Sequence, residues 1–339
     1  MIRRFPAVSR CGALAALTFV LTAAGCGAAP TEVDGSDPRS PLHLTRLIQL
    51  SQVRGRIDHL AIDLARRHLF VAEYGNGSVD EIDLTSARVV GRIERLHGPQ
   101  DLAWLPGQHE LVVASGDGSV RFFAETDRRE LARINLGADA DNVRVDGRNG
   151  HVVVGYGDGG LATIDPVSHR LIGRLLLPGH PEGFRLIGSR ALVNVPDKGA
   201  ILAVDLDRGR ITATWGTGLR RLNFPMAMTA AGDRIMVAYR FPAAVSAVDT
   251  GTGRVAFTRS ACGDADDLFL DGGRVLAICG DGHVDVSNAT TGHSEMRIAT
   301  APGARTGLLV PELRTLFVAV PARQGPASVW VFAVKRSAS

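Results

Sequence analysis

One pattern of strands and turns returns along this chain about every 40 residues, and nothing else in the sequence limits the fold as strongly. Its marker is a short, mostly polar triplet ahead of an apolar strand. The triplets are Asp58-His59-Leu60, Gln100-Asp101-Leu102, Asp141-Asn142-Val143, Glu182-Gly183-Phe184, Pro225-Met226-Ala227, Asp266-Asp267-Leu268 and Arg305-Thr306-Gly307. Their third residues stand 42, 41, 41, 43, 41 and 39 positions apart. A second, more apolar strand follows each, as at His68 to Ala72, Leu111 to Ala114 and His151 to Gly155. Tight glycine turns come next, at Tyr74 to Gly77, Ser115 to Gly118, Tyr156 to Gly159 and Cys279 to Gly282; glycine permits the positive φ that hairpin turns need. The third strand ends in an aspartate turn at Asp83, Asp165, Asp205 and Asp249. No stretch carries a convincing helical period. A period near 40 made only of strands is the sequence form of propeller blades, each a four-stranded sheet.

Counting the units also closes the ring. The seventh has three strands, Gly307 to Pro311, Thr315 to Val320 and Ser328 to Val334. Its fourth is expected from Leu44 to Val53, an apolar segment ahead of the first unit, which would leave no exposed sheet edge. The expected fold is therefore all-β: a seven-bladed β-propeller over residues 42–335, followed by a short tail at 336–339.

The first 25 residues read as an export signal. Arg3, Arg4 and Arg10 form a basic start, and Gly12 to Ala24 is an uncharged apolar run too short to span a bilayer. Leu21 to Cys26 resembles a bacterial lipobox with Ala23 where Leu is usual, so Cys26 is the expected lipidation site; cleavage near Ala28 or Ala29 is the alternative. Residues 26–41 are rich in Gly, Ala, Pro, Ser and Asp and are expected to form a tether. The address that follows is periplasmic or cell-envelope, with the membrane reached only through a lipid anchor.

Export changes the charge argument. No acidic residue precedes Cys26, so the formal +3 of the whole chain falls to zero once the three arginines are removed. A global basic excess of the kind that neutralises phosphates is absent, which argues against nucleic acid as a partner. The expected partners are a small ligand or an envelope protein, met by a monomeric ring.

Two cysteines remain in the body, Cys262 just before the first strand of the sixth unit and Cys279 at the end of its second. Those strands run antiparallel, so both cysteines fall at one end of the blade. A structural disulfide is expected in an oxidising compartment; a redox switch and a thiolate metal site are the alternatives, the latter poorly served without a nearby pair of histidines.

Loops entering the innermost strands converge on the central channel of a propeller. Here they bring Asp58, His59, Asp141, Asn142, His180, Glu182, Asp266, Asp267 and Arg305 to the channel mouth, with Gln100, Asp101, Asp139 and Asp264 beside them. Converging carboxylates repel one another, which raises their pKa values or invites a cation. Asp141, Asn142, Glu182 and Asp266 are the candidate ligands for a divalent ion such as Ca²⁺. The competing reading is that these residues cap turns through nearby backbone N–H groups. No Gly-x-Ser-x-Gly elbow, His-Glu-x-x-His pair or phosphate-cradling Gly-rich loop is present, and no nucleophile–base pair can be recognised.

From Gly55 to Val334 the chain resembles the bacterial YVTN-type, or YncE-like, β-propellers. The resemblance rests on Gly55 to Leu60, Gly137 to Asn142, His180 to Phe184, Asn223 to Met226, Cys262 to Leu268 and Thr300 to Thr306. The strand that gives that family its name reads Leu69-Phe-Val-Ala-Glu73 here. The resemblance implies a propeller and export and assigns no reaction. Some relatives are labelled DNA-binding, which the neutral mature charge opposes. Two functions are compatible with the mouth: a non-enzymatic binding scaffold, or a metal-dependent hydrolase similar to propeller lactonases, with His59 or a carboxylate as base.

Overall fold

The computed structural model describes residues 31–33 and 35–335. The expected export signal at 1–25, Cys26 and the tail at 336–339 lie outside those residues. Apart from two single-turn 3-10 helices, Pro196–Lys198 and Pro311–Leu313, every regular element described is a strand. The strands form seven sheets of four, with a fifth short strand added to one. Blade one is typical: Leu60–Asp63, His68–Glu73, Ser78–Asp83 and Arg88–Ile93 follow one another antiparallel. Innermost strands touch their neighbours around the ring, and the seventh (Thr306–Val310) meets the first (Leu60–Asp63).

Why each second strand is so apolar becomes clear from the packing. A blade is covered on both faces, so the alternate side chains of a strand serve different neighbours. In blade two, Leu111 and Val113 pack toward blade one, while Val112 and Ala114 pack toward blade three. The seven apolar clusters each fill the gap between two consecutive blades, including the one between seven and one. The core is thus a ring of wedges and not a single centre.

Blade seven closes as expected, with Leu42–Gln49 pairing antiparallel to Ser328–Val334 as its outer strand. The strand begins two residues earlier than the pattern suggests because Leu42 is fully buried between blades six and seven. Within the stretch expected to serve as a tether, Thr31–Val33 runs parallel to the outer strand of blade six, Ser294–Ala299. Cys262 and Cys279 are both buried and form the disulfide, their Cα atoms 5.9 Å apart.

One expectation needs correcting. At blade five the marker triplet lies within the inner strand, Arg221–Met228, and at blades two, three and six the triplets likewise are not loops but lie within the inner strands Pro99–Leu105, Ala140–Val145 and Ala265–Asp271. Each of the last three strands carries a bulge, in which Gln100, Asn142 and Asp266 are the extra residues. A bulge keeps the ladder while turning the next side chain to a new direction. Asn142 accommodates this at φ +41°, a conformation that asparagine tolerates better than most residues.

Candidate functional site at the channel mouth

The bulged strands first secure the ring. Asp101 accepts the Val143 N–H of the next blade at 2.7 Å, and Asp267 accepts that of Gly307 at 2.8 Å. These equivalent aspartates of blades two and six stitch inner strands together, so part of their role is structural. Asp267 also reaches past blade seven to His59 of blade one, Oδ2 to Nδ1 at 3.2 Å. This bridge crosses the channel and narrows it. The space beside it, walled by His59, Arg144, Glu182, Arg185 and Asp266, is about 20 Å³, room for a water or an ion and not for an organic ligand.

Apart from Arg305, the arginines of the mouth are the feature that the sequence pattern did not mark. Arg56 lies 2.6 Å from Asp58 Oδ2 and covers the Tyr74 ring. Arg144 donates to Asp101 at 2.8 Å and to Asn142 Oδ1 at 3.2 Å. Arg240 stacks on Phe224 at 4.1 Å and donates to Asp266 at 2.5 Å, while Arg305 meets the other Asp266 oxygen at 3.0 Å. The mouth expected to be acidic is therefore a lattice of matched charges. A partial signal was present, since Arg56 and Asp58, like Asn142 and Arg144, stand two apart in sequence, but the bulge at Asn142 hides which way its side chain faces.

The matching is incomplete. Burial pushes the Asp58 carboxyl up to about 7, with Asp141 and Asp266 adding to the rise against His59 and Arg56. Burial opposes the charge on His59, yet Asp267, Asp101 and Asp58 outweigh it and hold the imidazole well above its usual range. Arg185 is pushed down to about 9 by burial and by its neighbour Arg144. It lines the narrow channel and donates to the Phe184 carbonyl.

Asp141, His180 and Glu182, like Asp139 and Asp267, have no arginine ion pair among the described residues, and the ligand-type atoms of those first three all lie within 4.8 Å of one another. His180 is oriented for the purpose. Its Nδ1 bonds the Gly157 carbonyl at 2.5 Å, which turns Nε2 toward Glu182 and Asp139, 3.9 Å from each. Burial pushes Glu182 up to about 9, with Asp141 and Asp266 contributing; burial also raises Asp141. Of the four candidate metal ligands, Asp141 and Glu182 come together, joined by His180. Asn142 and Asp266 are instead engaged by arginines.

A cavity of about 420 Å³ lies away from this charged centre, against blade seven. Among the described residues no helix is long and apolar enough to cross a membrane. No family model and no curated protein matches the chain.

Proposed function

We propose that the protein is an exported binding scaffold whose channel mouth takes up a divalent cation on Asp141, His180 and Glu182. The observation that carries this reading is the arrangement of those three side chains. They belong to adjacent blades, their donor atoms converge, and a backbone carbonyl fixes the tautomer that leaves His180 Nε2 free to coordinate. A mixed oxygen and nitrogen set suits Zn²⁺ or Mn²⁺ better than Ca²⁺, which prefers oxygen alone. With the channel itself narrowed by His59 and Asp267, a partner would meet the cation from the mouth side.

The metal-dependent hydrolase is the second reading, favoured by a three-ligand site that leaves coordination positions open. It loses one of its two candidate bases, because Asp267 and Asp58 hold the His59 imidazole protonated well above its usual range, and a carboxylate is left for that role. Export and lipidation at Cys26, and membership of the YVTN-type propellers, complete the proposal. The buried disulfide supports the oxidising address.

Calorimetric titration of the folded chain with Zn²⁺ and Mn²⁺ tests the reading. One site per chain is expected, weakened at least tenfold by Glu182→Gln and by His180→Ala, in line with loss of a ligand or its orientation. Absence of saturable binding, or binding indifferent to both substitutions, would contradict it.

A further inference from the structure

Blade seven carries a second feature, on the far side of the mouth from Glu182. Its loop at Pro321–Pro326 stands between two cavities. The first, about 420 Å³, is walled mainly by apolar groups, among them Leu47, Pro302, Val320, Pro326 and Trp330. The second, about 210 Å³, is lined by Arg56, Arg305 and Arg323 and by no carboxylate. Pro321 lines both, and Ala301 and Pro302 of the first run directly into Gly303 of the second. An apolar chamber and a basic one therefore adjoin.

Two of the three arginines already have carboxylate partners outside the chamber lining, and the third does not. Arg56 pairs with Asp58, and Arg305 with Asp264 and Asp266. Arg323 is exposed and has no carboxylate partner among the described residues. Its guanidinium lies back over Gly303, where an added Cβ would come within 2.7 Å of Cζ. Gly303 has φ +87°, so this position both turns the chain and leaves space for the cation. In the apolar chamber, Leu47 is 52% exposed on the outer strand. The Trp330 Nε1–H donates to Ser328 at 3.2 Å, so the indole is already satisfied. The larger volume lies within the range of small-molecule sites, which pair apolar walls with a few directed polar groups.

We propose that the Pro321–Pro326 loop forms a site for a free amphiphilic organic anion. Its apolar chain occupies the Leu47–Trp330 chamber, and its carboxylate meets Arg323 with Arg56 and Arg305 behind. Planar guanidinium groups match such a head group by paired hydrogen bonds. The site goes beyond the cation reading and does not depend on it.

Calorimetric titration of the folded full chain with decanoate, below its micelle concentration, tests this, with decanol as the neutral counterpart. One decanoate per chain is expected, with decanol at least tenfold weaker. Arg323→Gln should weaken decanoate roughly tenfold and leave decanol unchanged, as loss of one charge-assisted contact implies. Leu47→Ser should weaken both ligands. Arg254→Gln, which removes an equal charge from an exposed turn of blade five, should change neither. Equal affinity for decanol and decanoate, or an Arg323→Gln protein that binds decanoate as before, would overturn the proposal. Binding to phosphatidylglycerol vesicles without binding to free decanoate would overturn it too, by assigning the patch to a membrane surface.

Discussion

Asp249 and Asp58 show how far position sets the behaviour of one residue type in this ring. Asp249 ends a third strand at the foot of blade five, where one of its oxygens accepts the Thr252 hydroxyl and the N–H groups of Thr252 and Gly251. Those bonds hold its carboxyl below the usual range. Asp58, at the mouth, is raised to about 7 by burial. Its folded value exceeds the ordinary 3.8, so between those limits the folded chain keeps a proton that the unfolded chain has released. Stability from this group is therefore lost as pH rises from about 4 to 7. His59 acts in the same sense: raised in the fold, it contributes fully below its ordinary 6.5, and that contribution fades as pH climbs through the folded value. Asp58→Asn should accordingly raise the Tm at pH 8 by a few degrees and change it less at pH 4.5, as thermal melts at the two pH values will show. An equal shift at both would assign the effect to packing and not to charge. Glu81 makes the converse case. It is buried and accepts bonds from His68 at 2.6 Å, Arg66 at 3.1 Å and Arg128 of blade two at 2.6 Å. Glu81→Ala leaves Arg128 without its carboxylate and Arg66 with Glu125 alone, and urea unfolding should show a loss of about 3 kcal/mol, the low end for a broken buried pair because the arginines are part-exposed.

At the scale of elements, the strands were legible because each second strand is apolar on both faces. Val152, Val153 and Val154 are all fully buried in blade three, and a run of this kind has no other place in a ring of stacked sheets. The bulges were not legible. Asp141-Asn142 and Asp266-Asp267 look like loop residues, since polar pairs at a strand start usually cap turns. Only the pairing register reveals Asn142 and Asp266 as insertions within a ladder. The disulfide was readable from antiparallel strand direction, which puts both cysteines at one end of blade six, together with the expected oxidising compartment. Closing a loop of 17 residues, it should contribute roughly 3 kcal/mol in the chain-entropy account. Cys279→Ser should lower the urea midpoint accordingly, and wild-type protein under reductant should follow it. A midpoint unmoved by reductant would show that the bond adds no stability.

For the whole molecule, the count of seven followed from a period that any strand-only repeat would show, and closure followed from the missing fourth strand of the last unit. The candidate site was legible only as a list of residues. Which carboxylates are matched by arginines and which are left over depends on contacts between blades far apart in sequence. The His59–Asp267 bridge joins residues 208 positions apart, and no local pattern marks it. Position around the ring, and not residue type, separates Asp266, clasped by Arg240 and Arg305, from Glu182, which has no arginine ion pair among the described residues and is proposed to hold a cation. Anomalous diffraction at the zinc edge, on crystals grown with a stoichiometric amount of Zn²⁺, tests that distinction most directly. The expected result is one peak among Asp141, His180 and Glu182, absent in Glu182→Gln crystals. A peak at Asp266, or none on the mouth of the wild-type ring, would contradict the account.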